Sequence, residues 1–228
     1  MQIKILDLML SVQRGLWGNA SLNLRAVCAD CDNKKIYVDF FYDGEISEED
    51  HELYESVLDD IYSDYSIETE FYMPSIRLDY PQKIPLRGRW VYYRYEDILK
   101  IPVERNSDLF KSHIAHLSDK ESELTRMSVL KLSVGDALLG HVTPNLRGVC
   151  VNVDENKMYV NFYFDGEISK LDQELFDLSV SRFMEEFKAT KVEFDIQMIR
   201  LDFPLKPPWI GGWVYKRSED TSQYPLEN

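Results

Sequence analysis

Apolar and β-branched residues crowd into two runs near the start of the chain, Leu24 to Asp30 and Ile36 to Tyr42. Cys31, Asp32, Asn33 and Lys34 lie between them and supply turn chemistry, so the pattern predicts a β-hairpin. Asp43 and Gly44 break the second run, and the period then lengthens. Leu53, Val57, Ile61 and Tyr65 recur at helical spacing. Ser47, with Asp50 three residues on, offers an N-cap in the manner of a capping box. Strand patterning returns around Glu68 to Leu78 and from Trp90 to Tyr95. Ahead of all this, MQIKILDLML reads as a short amphipathic helix, because Lys4 and Asp7 interrupt it and SVQRG offers no small-residue cleavage site.

The pattern is then written a second time. LWGNASLNLRAVC (Leu16 to Cys28) falls on LLGHVTPNLRGVC (Leu138 to Cys150), and KIYVDFFYDGEIS (Lys35 to Ser47) on KMYVNFYFDGEIS (Lys157 to Ser169). Arg25 meets Arg147, an offset of 122 that holds through the helix; one inserted residue raises it to 123, so SIRLDYP meets MIRLDFP and GRWVYYRYED meets GGWVYKRSED. Four collinear blocks establish a tandem repeat. Ser169 and Asp172 repeat the helix cap, and Leu175, Phe183 and Phe187 repeat the apolar row.

The predicted fold class is α+β: two tandem copies of a ββαββ module, each with a leading short helix and one helix packed on a mainly antiparallel sheet. The expected organisation is a first module over residues 1–97, a linker over 98–124 and a second module over 125–228. In the linker, NSD before LFKSHIAHL predicts one short helix.

The module helix carries a second apolar row, Tyr54, Leu58 and Tyr62, kept apolar in the other copy by Phe176, Val180 and Met184. Two readings account for so wide a face. Either both rows reach one core, or the two helices pack against each other about a pseudo-two-fold axis, making the chain a monomer that acts as an internal pseudo-dimer.

Composition narrows the function classes. The 228 residues are 44% hydrophobic and carry a formal net charge of −14, with a pI of about 4.7. Neutralising a phosphate backbone needs clustered Lys and Arg, so nucleic acid is not an expected partner. No stretch reaches the roughly 20 apolar residues of a membrane span. Three cysteines make no disulfide framework, and the expected location is cytoplasmic.

Candidate chemistry is sparse, and no cofactor or metal is expected. Cys28 and Cys31 form a CxxC, but it ends a strand and has no second pair, and the copy holds Cys150 with Val153. His113 and His116 share a predicted linker helix without a third ligand. His51 and His141 are replaced in the other copy by Gln173 and Asn19. Retained in both copies are the acids Asp43/Asp165, Glu45/Glu167, Asp79/Asp202 and Glu96/Glu219, and the bases Arg25/Arg147, Arg77/Arg200 and Arg94/Arg217. Such groups suit either acid/base catalysis or ion pairs and turn caps inside each module.

Charge is where the copies diverge. From Asp43 to Glu70 the first copy has no Lys or Arg, whereas the second places Lys170, Arg182, Lys188 and Lys191 in the matching stretch. Like charges at i, i+4 on the first helix cost only a few tenths of a kcal/mol each, partly offset at the helix N-terminus, so a solvated face accounts for them as well as a docking surface does. The docking reading assigns Glu48, Glu52, Glu55, Asp59 and Asp60 to a basic partner.

At GHVTPNLRGV, MYVNFYFDGEIS and GGWVYKRSED, the chain resembles small immunity proteins of bacterial polymorphic-toxin and contact-dependent inhibition systems. The resemblance covers both modules and not the linker. It implies a non-enzymatic cytosolic antidote that binds one cognate toxin domain, and it carries no residue role. The first copy departs from that style in NASLNLRAV, which lacks Thr143 and Pro144, so its entry loop is expected to differ. An enzyme built on the retained carboxylates and arginines, and a self-association module, stand as alternatives.

Overall fold

The computed structural model describes residues 3–96, 106, 114, 122–154 and 157–225. In the first module, helix α1 (Ile5–Gly15) precedes the hairpin β1 (Leu24–Asp32) and β2 (Lys35–Tyr42). Asp32 and Lys35 pair across its turn, where Asn33 takes the left-handed conformation that Asn tolerates best after Gly. Helix α2 (Glu48–Ser63) follows, with its capping box formed between Ser47 and Asp50. Strands β3 (Glu70–Tyr72), β4 (Ser75–Arg77) and β5 (Arg89–Tyr93) complete the unit. The second module repeats it as α3 (Glu123–Ala137), β6 (Leu146–Asp154), β7 (Lys157–Phe164), α4 (Lys170–Phe187), β8 (Glu193–Arg200) and β9 (Gly212–Lys216), again with a capping box, between Ser169 and Asp172.

The α+β class and the duplicated architecture hold, with two refinements. The sheets are mixed: β1 pairs antiparallel with β2 and β5, but β3 and β4 run parallel to β2, as β8 does to β7. A strand that returns through a helix arrives in that sense. The single strand expected around Glu68 to Leu78 is split at Met73 and Pro74, since a proline cannot donate to the ladder, while Gln197 at the matching position leaves β8 unbroken.

The second apolar row of the module helices turns inward. Tyr54 meets Phe40 edge-on at 5.2 Å, Tyr62 meets Phe71 at 4.7 Å, and Phe176 meets Phe162 at 4.9 Å. Both rows therefore serve their own sheet. The helices that meet at the pseudo-two-fold axis are the leading ones, α1 and α3, together with β5 and β9. This corrects the expectation that α2 and α4 form that contact. The wide face exists because β3, at the edge of the sheet, carries Phe71 out to meet Tyr62.

The junction is built from repeat-related pairs. Gly18 N–H donates to Lys216 O and Gly140 N–H to Tyr93 O, each at 2.9 Å. Tyr95 N–H donates to Val142 O at 2.8 Å and Ser218 N–H to Ala20 O at 3.0 Å. Each module thus ties its last strand to the segment following the other's leading helix. On the axis, Tyr92 stacks on its own repeat partner Tyr215, with centroids 6.0 Å apart. Aliphatic packing runs through the junction without a break, from Leu8, Val12 and Phe40 to Leu130, Val149 and Phe162.

Two contacts at the axis break the symmetry. Gln13 lies against its repeat partner Gly135, where a β-carbon would come within 2.4 Å of the Gln13 amide nitrogen. Lys131 sets its ammonium 4.7 Å from the Trp17 ring, whereas the positions related to these two hold Met9 and Leu139. Asn106 joins the modules as well, its N–H donating to Asp136 Oδ1 (2.6 Å) and its side chain to Trp90 O (2.7 Å). Ile114 is helical and buried, while His113 and His116 lie outside the described residues.

Candidate protein-binding surface

Apart from Glu45 and Glu167, the retained acids and bases are committed to one another inside each module. Arg25 and Glu96 form a buried two-pronged pair (Nε to Oε1 2.6 Å, NH2 to Oε2 2.8 Å), repeated by Arg147 and Glu219 at 2.7 Å on both arms. The remaining Arg25 and Arg147 protons go to backbone carbonyls of the loop before the last strand. Arg94 then joins Asp43 to Glu96, and Arg217 joins Asp165 to Glu219. Burial alone would raise the carboxyl of Glu219, but donors from Arg147, Tyr224 and Arg217 hold it below its usual range. Arg77 with Asp79 and Arg200 with Asp202 pin the turns, and Asp79 and Asp202 also accept the N–H of Gly44 and Gly166. Carboxylates saturated in this way serve architecture, because a general base needs a free lone pair facing substrate.

The CxxC is divided by the sheet. Cys28 packs on the outer face with Phe41 and Trp90, while Cys31 packs toward the helix side. Burial pushes the Cys28 thiol up to about 11 and raises that of Cys31. Neither is a ready nucleophile or ligand, and among the described residues no cluster of His, Cys, Asp or Glu suits a metal ion. His141 is buried, with Nδ1 2.7 Å from Ser179 Oγ.

The acidic helix differs in kind. At 100° per residue, Glu48, Glu52, Glu55 and Asp59 fall within about 60° of one another on α2. All four are exposed, and none has a hydrogen bond or ion pair to a described residue. Asp60 stands apart from them: it is half-buried toward α1, where its carbonyl accepts from Arg14 at 3.2 Å. Of the other acids in the stretch, Asp64 is engaged by Arg14, Glu68 by Lys34, Glu70 by Lys35 and Asp50 in the cap. The matching face of α4 is balanced. Lys170 lies 3.4 Å from Glu174, Asp177 accepts from Gln173, position 181 is Ser, and Arg182 donates to Leu139 O. One copy therefore presents an unneutralised carboxylate ridge and the other does not.

Comparison with known families decides the kinship. A sequence model of the MafI2 immunity protein family matches residues 6–96 and again residues 127–219. The chain belongs to the MafI2 immunity protein family. It carries two family modules in tandem, each match spanning one sheet and its helices. A search among curated proteins gave no match. No helix among the described residues is long and apolar enough to cross a membrane.

The family matches begin inside the leading helices and end at Glu96 and Glu219, the buried partners of Arg25 and Arg147. The ion-pair network thus lies within the matched residues of both modules, whereas the ridge belongs to one copy. Sequence reasoning missed an exposed apolar residue that flanks the ridge, Tyr62 at 44%. Tyr62 falls on the same stripe as Asp59, and its position in the apolar row concealed that.

Proposed function

We propose that this chain is a non-enzymatic cytoplasmic antidote that binds the basic domain of one cognate toxin through the α2 ridge, and so covers the toxin's active site or its substrate's approach. Membership of an immunity family supports the partner class. The observation that carries the choice of surface is the contrast between the two helices: Glu48, Glu52, Glu55 and Asp59 point to solvent without partners among the described residues, while the matching positions on α4 hold Lys170 paired with Glu174, Asp177 bonded to Gln173, and the uncharged Ser181. A like-signed ridge on a molecule of net charge −14 speeds encounter with a basic partner and disfavours acidic ones. Tyr62 beside it supplies apolar area of the kind that anchors an interface once charges have brought the surfaces together. Asp60 contributes at the rim, since half of it is turned toward α1.

The test is charge reversal. Glu48→Lys, Glu52→Lys, Glu55→Lys and Asp59→Lys together are expected to slow association with the toxin domain by at least about tenfold at low salt, and to abolish most of its salt dependence. Reversing Glu174 and Asp177 on α4 is the control and is expected to change little. Unaltered association after reversal on α2 removes the ridge from the interface.

A further inference from the structure

We infer that the second module carries a docking edge for a second copy of this chain, on which strand β8 pairs antiparallel with its own twin about a two-fold axis at Ile196. The edge is separate from the α2 ridge and does not rest on the antidote reading. β8 ends its sheet on one side, pairing with β7 and with no other described strand. Leu201 N–H donates to Phe164 O. Alternation then turns the backbone groups of Asp195, Gln197 and Ile199 toward β7, and those of Phe194, Ile196 and Met198 away from it.

The first module shows how such an edge is closed. Pro74 splits it into strands of three residues, a form that discourages pairing with another chain. The Tyr54 hydroxyl donates to Met73 O, and Met73 itself is buried. In the second module Ile196 stands where Met73 does and Phe176 where Tyr54 does, so that position of the helix has no hydroxyl to give to the Ile196 carbonyl. No proline interrupts β8, which runs unbroken for 8 residues.

The side chains leave the same edge unsealed. On the helix face, Met158, Val160 and Phe162 of β7 are buried, whereas Phe194, Ile196 and Met198 beside them are half-buried. Met184 of α4, whose counterpart Tyr62 packs over Phe71, is 38% exposed.

A copy of the same strand fits this edge. Antiparallel pairing centred on Ile196 sets Ile196 against Ile196 of the second copy and Phe194 against Met198 of the second copy, apolar against apolar on the helix face. On the other face it sets Asp195 against Gln197 of the second copy, a carboxylate against an amide donor. At the axis the two Ile196 residues exchange N–H and carbonyl bonds, so the open carbonyl is filled by its twin. The acidity of the chain does not oppose this contact, because Asp195 is neutralised by Lys157 at 3.0 Å and the charges of Lys191, Glu193, Asp195 and Arg200 cancel. A single strand pair is a small interface, so the dimer is weak and forms at high protein concentration.

The experiment follows the full chain by sedimentation equilibrium from micromolar to millimolar concentration, with amide hydrogen exchange at both ends of that range. A reversible dimer is expected, in which the amides of Phe194, Ile196 and Met198 exchange several-fold more slowly in the concentrated sample while those of Asp195 and Gln197 do not change. Phe176→Tyr supplies the hydroxyl found in the first module and is expected to weaken dimerisation by about tenfold, the factor of one hydrogen bond, with the fold intact. Gln197→Glu, at an exposed position, sets like charges against each other across the axis and is expected to weaken the dimer too, whereas Gln197→Lys is expected to tighten it. A chain monomeric throughout, a dimer whose β8 amides keep their exchange rates, or a dimer indifferent to both Phe176→Tyr and Gln197→Glu overturns the proposal.

Discussion

A guanidinium and a carboxylate can share the interior of a small module only if each of their polar atoms has a partner, and Arg147 with Glu219 meets that condition. Their side chains are 0% and 3% exposed, and every Arg147 arm reaches an oxygen. Removing one member leaves the other charged and buried, so Arg147→Met is expected to destabilise the chain by about 3–5 kcal/mol in urea unfolding. Replacing both members with apolar residues of similar size is expected to cost far less. Acid titration probes a second set of residues. Burial would raise the carboxyls of Asp50 and Asp172, but Asn23 and Ser47, and Ser169, Thr143 and Asn145, hold them below their usual range. A folded value below the unfolded one, near 3.9 for Asp, contributes stability in full above that value and loses it as pH falls through the folded value. Asp50→Asn with Asp172→Asn is therefore expected to lower stability at pH 7 and to flatten its decline below about pH 4, as measured by unfolding across that range. At this scale the sequence named the players without their pairings. Arg25 and Glu96 are retained in both copies, yet only the fold shows that they meet across 71 positions.

Elements were legible wherever local chemistry decides them. The hairpins, the capping boxes at Ser47 and Ser169, and the inward row of Val57 and Ile61 all stand where period and cap placed them. The parallel sense of β3 and β8 was not legible, because alternation repeats every second residue whichever way a strand runs. Nor was the role of the leading helices. In α1, Leu8 and Val12 are fully buried, and polar Ser11 and Gln13 are buried with them, Ser11 against Asp64 at the end of α2 and Gln13 against Lys131 and Gly135 of α3. A polar residue inside reads as a solvated one until its neighbour is known. Gly135→Gln is expected to force two amides into one site and destabilise the chain by about 1–3 kcal/mol. Combining it with Gln13→Gly is expected to restore most of the loss, because the axis relates the two positions. A thermal melt of the three variants checks this, and additive losses would show that the positions do not share space.

Over the whole molecule, the two sheets do not merge; the reciprocal bonds of Gly18 with Lys216 and Gly140 with Tyr93 clasp them instead. The clasp and the shared apolar core are expected to hold the modules without a covalent tie. A protease site placed within residues 115–121 is expected, after cleavage, to leave both fragments eluting together at the mass of the intact chain under native conditions. Separation at micromolar concentration would show that the linker itself maintains the assembly. The repeat was evident from four sequence blocks, while its geometry depended on which faces were left uncovered once each helix had satisfied its own sheet. The ridge on α2 was visible as composition, and its isolation became visible only when the corresponding charges on α4 proved to be internally balanced.

The unequal pair on the axis constrains how the gene itself can change. Tandem repeats can exchange sequence, and a conversion event copying the first repeat over the second would set glutamine against glutamine where a β-carbon alone would press on the Gln13 amide nitrogen. Conversion in the opposite direction would set glycine against glycine and leave a hole. Each half has become the mould for the other, so enlarging one side of this spot is expected to be tolerated best when the other side shrinks.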